Sequence, residues 1–406
     1  MNILFTHQNF PGQYFHLVRN LGASGEHRVV FITQRPDGEL DGVQKIVYRP
    51  PRPVTPTMHH YLRETEAGIL NAQKVGGIAL ALKEEGFTPD VMLGHNAWGE
   101  TWYLRDVFPQ APLIGYFEFY YRTEGGDYGF NPEEPKTLDD GPRIRTRNLG
   151  NLLGLEAATL GQTPTEWQKS RYPERYQSML RVVHEGIDTR SLVPDPAATF
   201  ELPNGRGVLA AGDEVVTYVA RNLEPHRGFP TFMRSLPGVL RQRPKAQVAI
   251  VGGDGTSYGP APEGNVTFRQ LLLKELGDSF EASRVHFLGH LAYPAFMRLM
   301  QVSKAHVYLT YPFVLSWSML EAMSMGCLVV GSRTPPVEEV IEHERNGLLV
   351  DFFSPQETAA AIVRALGDDA DCRGMREAAR QTVVERYDLQ DVCLPKQMRL
   401  IEEARG

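Results

Sequence analysis

The sequence predicts an α/β protein made of two doubly wound domains, each a parallel sheet covered by helices on both faces. At 406 residues the chain is longer than a single hydrophobic core usually supports. Short runs rich in Val, Ile and Leu recur along it, which is typical of buried parallel strands. Segments with a helical pattern separate these runs in both halves, so strand–helix alternation occurs twice. The clearest runs are 2–6, 28–33, 214–220, 247–253, 305–310 and 327–332.

The boundary between the domains is predicted in a segment with several prolines and glycines and little periodicity, residues 188–214. We therefore expect an N-terminal domain over 1–195 and a C-terminal domain over 196–385. Residues 386–406 form a last helical segment, which we expect to pack back on the N-terminal domain. The helical pattern of the C-terminal region is broken around Tyr387–Asp388 and at Pro395.

Composition excludes several classes of protein. The formal net charge of −7 gives no overall field that would recruit nucleic acid. Three widely spaced cysteines match neither a zinc site nor a disulfide framework, which is typical of a reducing cytoplasm. The first ten residues, MNILFTHQNF, lack the pattern of a signal peptide. No apolar run approaches the roughly 20 residues of a membrane span, so we expect a soluble cytoplasmic protein.

Two arginines lie where the first strand of the second half ends. Arg221 and Arg227 stand in ARNLEPHRGF, and ligands of doubly wound sheets bind at the carboxyl ends of strands. Two guanidinium groups at one strand end are favourable when they share an anion such as a diphosphate, which arginine contacts in bidentate fashion. Two solvated surface arginines are the alternative, and for the pair alone both interpretations stay open.

A glycine-rich loop follows the next strand. In VAIVGGDGTSYG four glycines occur within eight residues, and Gly253 lies directly at the strand end. Glycines let a nucleotide approach the backbone closely. The loop lacks both the GxGxxG fingerprint and a GKS/T phosphate loop, which disfavours a nicotinamide dehydrogenase and a nucleoside triphosphatase.

The stretch YPFVLSWSMLEAMSMG places one carboxylate in an apolar segment. Ser316, Trp317 and Ser318 mark a predicted helix start, where free N–H groups and the helix dipole favour phosphate. Glu321, one turn further on, has two interpretations. It closes a Ser-x-x-Glu capping box with Ser318, or it accepts hydrogen bonds from a ribose diol.

The first half offers weaker candidates. Gly12 follows the first strand in FTHQNFPGQ and leaves room for a ligand beside the backbone, although a plain strand–helix turn explains it as well. Polar and aromatic residues after later strands are candidates to line a sugar site, and a structural role is the simpler interpretation for each one alone. They are His95, Asn96, Glu118, Tyr120, Tyr121 and Arg122. Arg143, Arg145 and Arg147 form a small basic cluster, either solvated or directed at an anionic acceptor.

The order of these motifs resembles the retaining glycosyltransferases of family 4, which have the two-domain GT-B architecture and use nucleotide-sugar donors. The resemblance is carried by YVARNLEPHRGFPTFMRSL, VAIVGGDG, VHFLGHL and LEAMSMGCLVVGSRTPPVEEVIEHERNGLLVDFF, and by TPTEWQKSRYPERY with VVHEGIDT. The N-terminal HQNFPGQ resembles a bacterial subgroup. The family implies two Rossmann-like domains facing a central cleft, with acceptor on the N-terminal side and donor on the C-terminal side.

The resemblance also implies roles for individual residues. Arg221 and Arg227 match the basic pair on the donor diphosphate, with Arg227 in place of the usual lysine. Trp317 and Ser318 match the phosphate-binding helix start, Glu321 matches the ribose-binding glutamate, and Gly12 matches a glycine that faces the diphosphate. Two positions depart from the family. Phe313 replaces a glutamate eight residues before Glu321, and Glu118 stands near the usual place of a histidine.

The resemblance implies a retaining hexosyltransferase of the polysaccharide-biosynthesis type, and we expect it to need no metal and no cofactor beyond its donor substrate. Arg221 and Arg227 would stabilise the leaving diphosphate, and Glu118 or His95 would position the sugar or the acceptor. Its partners are a nucleotide sugar and a sugar, lipid-linked or small-molecule acceptor, with peripheral membrane contact if the acceptor is lipid-linked. The alternatives are a nucleotide-sugar epimerase or hydrolase, and a non-catalytic nucleotide-sugar-binding partner.

Overall fold

The computed structural model describes residues 1–279 and 281–406. The chain folds into two compact units. Unit 1 comprises Met1–Gly186 together with Leu389–Gly406, and unit 2 comprises Ile187–Asp388. These divisions fall nine residues before the domain boundary predicted at 195 and three residues after the one predicted at 385.

Unit 1 is built on a seven-stranded parallel sheet with the order β3-β2-β1-β4-β5-β6-β7. The chain moves outward from β1 to one edge and then returns to continue on the other side, which is the doubly wound arrangement. The strands are β1 (Asn2–Thr6), β2 (Arg28–Thr33), β3 (Val43–Val47), β4 (Val91–His95), β5 (Leu113–Tyr116), β6 (Leu160–Thr163) and β7 (Leu180–Val182). The helices are α1 (Phe15–Ala23), α2 (Arg63–Glu84), α3 (Leu104–Val107), α4 (Asp140–Arg147), α5 (Leu149–Ala157), α6 (Glu166–Arg171) and α7 (Glu174–Gln177).

Both faces of this sheet are buried, as the apolar runs predict. Along β1, Ile3 and Phe5 belong to one core cluster, whereas Leu4 belongs to another. Successive side chains of a strand point to opposite faces, so β1 contributes to a core on each side. Residues of α1 pack in the first cluster and residues of α2 in the second.

Unit 2 repeats the plan with a six-stranded parallel sheet of order β12-β11-β10-β13-β14-β15 and a separate antiparallel hairpin, β8-β9. The strands are β8 (Thr199–Glu201), β9 (Val208–Ala210), β10 (Val215–Asn222), β11 (Gln247–Gly253), β12 (Val285–Gly289), β13 (Ala305–Tyr308), β14 (Leu328–Ser332) and β15 (Leu348–Val350). The helices are α8 (Phe229–Gln242), α9 (Phe268–Leu276), α10 (Tyr293–Val302), α11 (Trp317–Ser324), α12 (Pro335–Glu338), α13 (Pro355–Ala365) and α14 (Ala370–Tyr387).

The C-terminal segment returns to unit 1. Helix α14 ends at Tyr387, where the sequence pattern predicts a break, and α15 (Leu394–Arg405) follows a π-helical turn, Leu389–Cys393. The break predicted around Pro395 corresponds to the start of α15, because this proline occupies its first turn, where a helix does not need the N–H. Leu400 and Ile401 of α15 lie in the same core cluster as Ile3 and Phe5.

Short 3-10 turns complete the connections at Gly12–Tyr14, His60–Leu62, Asn96–Trp98, Pro203–Gly205, Pro225–Arg227, Gly277–Ser279 and Ala282–Arg284. Three of them, at Gly12–Tyr14, Asn96–Trp98 and Pro225–Arg227, follow the carboxyl ends of strands β1, β4 and β10. The candidate site residues Gly12, His95, Arg221 and Arg227 lie at these three ends.

Candidate active site

Arg221 and Arg227, the basic pair of unit 2, lie at the carboxyl end of β10 and in the turn that follows it. Arg221 is the second-last residue of this strand and is exposed. Arg227 ends the 3-10 turn Pro225–Arg227, and Gly228 follows with φ +69°. A Cβ on Gly228 would lie 2.4 Å from that of Leu309, so only glycine allows this turn to continue into α8.

The guanidinium of Arg227 is held in one orientation. Its Nη1 donates to Thr310 Oγ1 at 2.7 Å, to Val314 O at 3.2 Å and to the hydroxyl of Tyr308 at 3.3 Å. The same hydroxyl accepts the backbone N–H of Ser316 at 2.8 Å. One tyrosine oxygen therefore links Arg227 to the residue that precedes α11.

Helix α11 begins at Trp317, where the sequence predicts a helix start. It does not have the Ser318–Glu321 capping box that the alternative interpretation requires. Its N-cap is Ser316, whose side chain makes no capping hydrogen bond within the described residues, and Trp317 and Ser318 are the first two helical residues. The capping-box interpretation of Ser318 and Glu321 is therefore wrong, because Ser318 is already inside the helix. The backbone N–H groups of the first turn point out of the helix end.

Glu321 lies on the first turn and a half of α11 and is 8% exposed. Its Oε1 accepts the hydroxyl of Tyr293 at 2.7 Å. Burial raises the pKa of the Glu321 carboxyl, and the hydrogen bond from Tyr293 partly offsets this. Tyr293 belongs to the start of α10 and remains half exposed, so a hydroxyl at the surface orients a nearly buried carboxylate.

Phe313 belongs to an aromatic cluster rather than to a polar site. Its ring centroid lies 5.0 Å from that of His226 and 5.0 Å from that of Tyr258. The guanidinium carbon of Arg227 lies 5.9 Å from the Phe313 centroid and 5.5 Å from that of Tyr258, within cation–π range. Burial, together with the charge of Arg227, lowers the pKa of His226 to about 3, so this imidazole is neutral near pH 7. The position where the family has a carboxylate thus holds a ring beside the arginine.

The glycine-rich loop is anchored by a residue that the sequence did not single out. Glu224 is fully buried, and its carboxylate accepts the backbone N–H groups of Ser257 at 3.0 Å and Tyr258 at 2.8 Å. Asn222 adds a hydrogen bond from Nδ2 to Ser257 Oγ at 2.7 Å. A Cβ on Gly253 would lie 2.6 Å from His290 Nε2 and 2.8 Å from Asn222 Oδ1, so a larger residue here would have to displace the ends of these two side chains. The one sequence signal for Glu224 was its place between the two arginines.

In unit 1, Gly12 makes room for a buried histidine. Gly12 has φ +57°, and a Cβ on it would lie 2.4 Å from Nε2 of His7. His7 is fully buried, accepts the N–H of Asn9 at Nδ1 and therefore carries its proton on Nε2, which lies 2.6 Å from Gln13 Oε1. Burial lowers the pKa of His7 to about 4.

Glu118 is connected to this histidine through one amide. Gln13 Nε2 donates to Glu118 Oε1 at 3.1 Å, while its own Oε1 accepts from His7. The other carboxylate oxygen of Glu118 lies 3.8 Å from His95 Nε2. The Glu118 side chain is 29% exposed, so it can still meet a ligand.

His95 lies behind Glu118 and has no exposed side-chain surface. Its ring stacks on Trp98, with centroids 4.4 Å apart, and on Tyr116, with centroids 5.0 Å apart. Burial holds the pKa of His95 well below its usual value, so it is neutral. Because its side chain is enclosed, His95 can act on a ligand only through its neighbours Glu118, Trp98 and Tyr116.

Several other first-half candidates have structural partners. Asn96 is buried and its Oδ1 lies 3.2 Å from both Thr101 Oγ1 and Trp102 Nε1. Arg122 donates to the backbone carbonyls of Arg171 and Tyr172. These contacts favour the structural interpretation for Asn96 and Arg122.

The basic cluster on α4 is divided between separate partners. Arg143 pairs with Asp140 at 2.8 Å, and Arg147 pairs with Glu64 of α2 at 3.2 Å. Arg145 is exposed, whereas the guanidinium carbon of Arg147 lies 3.9 Å from the ring centroid of Tyr121.

A cavity of about 280 Å³ opens in unit 1 beside Glu118. It lies between α2, the turn after β4, the segment after β5 and the α4–α5 junction. Its lining is small and aromatic on one part and polar on the other: Gln8, Glu64, Ala67, Gly68, Asn71, Ala97, Trp98, Tyr116, Glu118, Phe119, Tyr121, Arg147, Gly150 and Asn151.

Metal-binding clusters and membrane-spanning helices are both missing from residues 1–279 and 281–406. Over these residues, no cluster of three or more His, Cys, Asp or Glu side chains has an arrangement that could bind a metal ion. No helix within the same residues combines the length and the apolar character needed to cross a bilayer.

Two family models match the chain, one for each half. The model described as glycosyl transferase family 4 group matches residues 25–192, and the one described as glycosyl transferases group 1 matches residues 206–382. Together with the two doubly wound sheets, these matches define the class of protein as a glycosyltransferase with the GT-B fold. The chain belongs to the family 4 glycosyltransferases, which confirms the predicted fold class and enzyme class.

Characterised relatives are similar over about two thirds of their length. A GDP-mannose-dependent alpha-(1-6)-phosphatidylinositol monomannoside mannosyltransferase of Mycobacterium tuberculosis is 26% identical over 288 residues, covering 69% of this chain and 68% of the relative. A D-inositol 3-phosphate glycosyltransferase of Corynebacterium jeikeium is 27% identical over 303 residues, covering 72% and 68%.

Solved structures share the fold over the whole chain at low sequence identity. Anabaena HepE in complex with UDP and glucose is 18% identical with a TM-score of 0.64, covering 100% of both chains. Sucrose-phosphate synthase from Thermosynechococcus elongatus is 16% identical with a TM-score of 0.71, covering 99% of this chain and 98% of the other.

Proposed function

We propose that this glycosyltransferase moves a hexosyl group from a nucleoside-diphosphate sugar to an acceptor hydroxyl, with retention of anomeric configuration and without a metal ion. The observation that carries the proposal is the hydroxyl of Tyr308, which lies 3.3 Å from Arg227 Nη1 and 2.8 Å from the N–H of Ser316. It joins a fixed guanidinium to the start of α11, and both groups favour phosphate oxygens.

In the proposed reaction the bond between the anomeric carbon and the phosphate oxygen breaks, and its electron pair stays on the phosphate. Arg221, Arg227 and the first turn of α11 stabilise the growing negative charge, as preorganised donors do in other transferases and hydrolases. The acceptor oxygen bonds to the same face of the anomeric carbon, and its proton passes to the departing phosphate oxygen. Positive charge comes from the two arginines, so the step does not call on a metal.

The remaining residues take positioning roles. Glu321, oriented by Tyr293, binds the ribose diol of the donor. Gly12 and Gly253 contact the donor through their backbone, since their Cβ positions face protein side chains. Glu118 contacts the transferred sugar or the acceptor, and its orientation depends on Gln13 and His95. We treat His95 as a positioning residue, because its side chain is enclosed.

Donor binding and product stereochemistry test the proposal. A thermal-shift screen should include GDP-mannose and UDP-glucose, because a bound donor raises the melting temperature as its concentration exceeds the dissociation constant. With the donor so identified and methyl α-D-mannopyranoside as acceptor, proton NMR of the first product should show the donor's own anomeric configuration. Turnover in excess EDTA should equal turnover without it.

Other outcomes identify the rival functions. A product of inverted configuration would contradict retention. Altered donor sugar, or release of sugar to water that no acceptor diverts, would indicate an epimerase or a hydrolase. Donor binding without any turnover, with or without acceptors, would indicate a non-catalytic binding partner.

A further inference from the structure

The charges that line the unit 1 cavity are unfavourable for an anionic ligand. Among the described residues, its charged lining comprises one cation, Arg147, and the carboxylates Glu64 and Glu118. Arg147 is already engaged, because its Nε donates to Glu64 Oε2 at 3.2 Å. A phosphate that entered here would compete with Glu64 for the same guanidinium and would meet a second carboxylate.

The walls of the cavity suit a sugar ring. Trp98 is half-buried, lines the cavity and is fixed by its stack on His95, with centroids 4.4 Å apart. An indole offers a large rigid face at little cost in side-chain entropy. Ala67, Gly68 and Gly150 also line the cavity, and the Cβ positions of both glycines point at the buried Trp102 ring, 2.3 and 2.7 Å from its nearest atoms. Larger residues at these two glycines would therefore displace Trp102.

Polar groups that line the cavity suit hydroxyl groups. Arg147 and Glu64 are held as a pair, and the guanidinium is stacked 3.9 Å from the Tyr121 centroid. Asn151 is fixed through Nδ2, which donates to Phe119 O at 2.9 Å, and Asn71 through Nδ2, which donates to Trp98 O at 2.8 Å. Fixed donors and acceptors around an apolar wall are the usual composition of a small-molecule site, and a volume of about 280 Å³ limits the occupant to a small one.

We propose that this cavity binds the acceptor as an uncharged saccharide ring, with Trp98 as its stacking surface and the Glu64–Arg147 pair as the element that rejects phosphorylated acceptors. The inference rests on the proposed function and specifies its acceptor class. It sets this chain apart from the relative named for D-inositol 3-phosphate.

Binding of a matched pair of probes tests the inference on the full-length chain. The neutral probes are methyl α-mannoside, methyl α-glucoside and methyl β-galactoside, and the anionic probes are their 6-phosphates, measured by saturation-transfer NMR and calorimetry. We expect the best neutral probe to bind at least about tenfold more tightly than its phosphate. Trp98→Ala should weaken that probe about tenfold or more, as loss of a ring stacked on an aromatic face does.

A second variant gives a gain of binding, which an unfolded protein cannot mimic. Glu64→Gln keeps a hydrogen-bond acceptor beside Arg147 but removes the charge that balances it. This variant should bind the 6-phosphate about tenfold more tightly than the wild type does, with the neutral probe little changed. Glu84→Gln, an exposed position at the end of the same helix, is the matched control and should change neither affinity.

Several results would overturn the inference. These are a wild-type preference for the phosphate, neutral-probe binding that Trp98→Ala leaves intact, or no gain of phosphate binding in Glu64→Gln. Binding of no probe by a protein that binds and slowly hydrolyses its donor would also overturn it, while leaving the proposed function in place. A protein that binds no donor would instead break the proposed function.

Discussion

Units 1 and 2 use the same type of sheet edge but hold their polar side chains in different ways. In unit 2 a charged group is fixed by hydroxyls, as Tyr308 and Thr310 fix Arg227 and Tyr293 fixes Glu321. In unit 1 a carboxylate, Glu118, accepts a hydrogen bond from the neutral amide of Gln13, which is bonded in turn to His7, and it lies 3.8 Å from Nε2 of the neutral His95. The edge of unit 2 therefore carries an oriented guanidinium, that of Arg227, whereas the edge of unit 1 carries a partly exposed carboxylate, that of Glu118.

Under the proposed function, the edge of unit 2 binds a diphosphate. The arginines and the helix start assigned to that role lie in short motifs that can be recognised in the sequence. The unit 1 edge instead depends on packed aromatic rings and small wall residues, which leave only a faint pattern in the sequence. Substitutions that act on one unit at a time therefore test the contrast directly.

Removing the fixed charge of unit 2 should be the most damaging change. Arg227→Ala should lower kcat/KM about 100-fold to 1000-fold, because a preorganised cation that faces the leaving group is lost. Arg227→Lys should recover most of the activity, since a lysine ammonium also carries the charge. Steady-state kinetics checks this, with Arg241→Ala, an exposed position on α8, as the control. Unchanged donor affinity and turnover in Arg227→Ala would remove the basis for the contrast.

The packing of unit 1 is tested by a pair of glycines. Gly12→Ala should destabilise the protein by about 3 kcal/mol, because an alanine at φ +57° is strained and its Cβ would meet His7. Gly25→Ala has the same kind of backbone, φ +68°, but no atom within 4 Å of its Cβ, and should cost about 1 kcal/mol. Chemical denaturation monitored by circular dichroism measures both values. Equal decreases in the free energy of unfolding would mean that contact with His7 is not the reason why position 12 requires glycine.

A milder loss should follow from removing one hydroxyl in unit 2. Tyr308→Phe removes the acceptor that Arg227 and the N–H of Ser316 share, and should lower kcat/KM about tenfold through weaker donor binding. Tyr218→Phe is the control, because its hydroxyl donates to the backbone carbonyl of Arg227 at 2.8 Å and does not reach α11. That variant should lose stability but retain more activity in the same kinetic assay. A larger loss of activity in Tyr218→Phe than in Tyr308→Phe would contradict the role of the Tyr308 hydroxyl in linking Arg227 to the start of α11.

Much of the fold could be predicted from the apolar runs, because a strand buried on both faces must be apolar along its whole length. The run 2–6 became β1 and the run 247–253 became β11. The helix start at Trp317–Ser318 was also predicted correctly, but the alternative capping box placed the N-cap two residues too late. Ser318 has the spacing of a capping box with Glu321, but α11 begins one residue before it, at Trp317.

The missed parts of the site depend on contacts between distant segments. Glu224 anchors backbone N–H groups more than thirty residues away, at Ser257 and Tyr258, and no spacing rule predicts such a partner. The cavity of unit 1 likewise arises where α2 passes the turn that carries Trp98. His95 could be recognised as a histidine at a strand end, but only the structure places its ring between Trp98 and Tyr116.

The hydroxyl of Tyr308 has a consequence for how this enzyme can diverge. The Tyr308 hydroxyl bonds both Arg227 and the N–H of Ser316, and the carbonyl of Val314 in the intervening segment accepts from the same guanidinium. The segment 311–315 is therefore part of the support of Arg227, and divergence within it is constrained. Exchange of Phe313 would remove a ring that packs beside this guanidinium, so it would change the surroundings of Arg227 while the bond from Tyr308 stays in place.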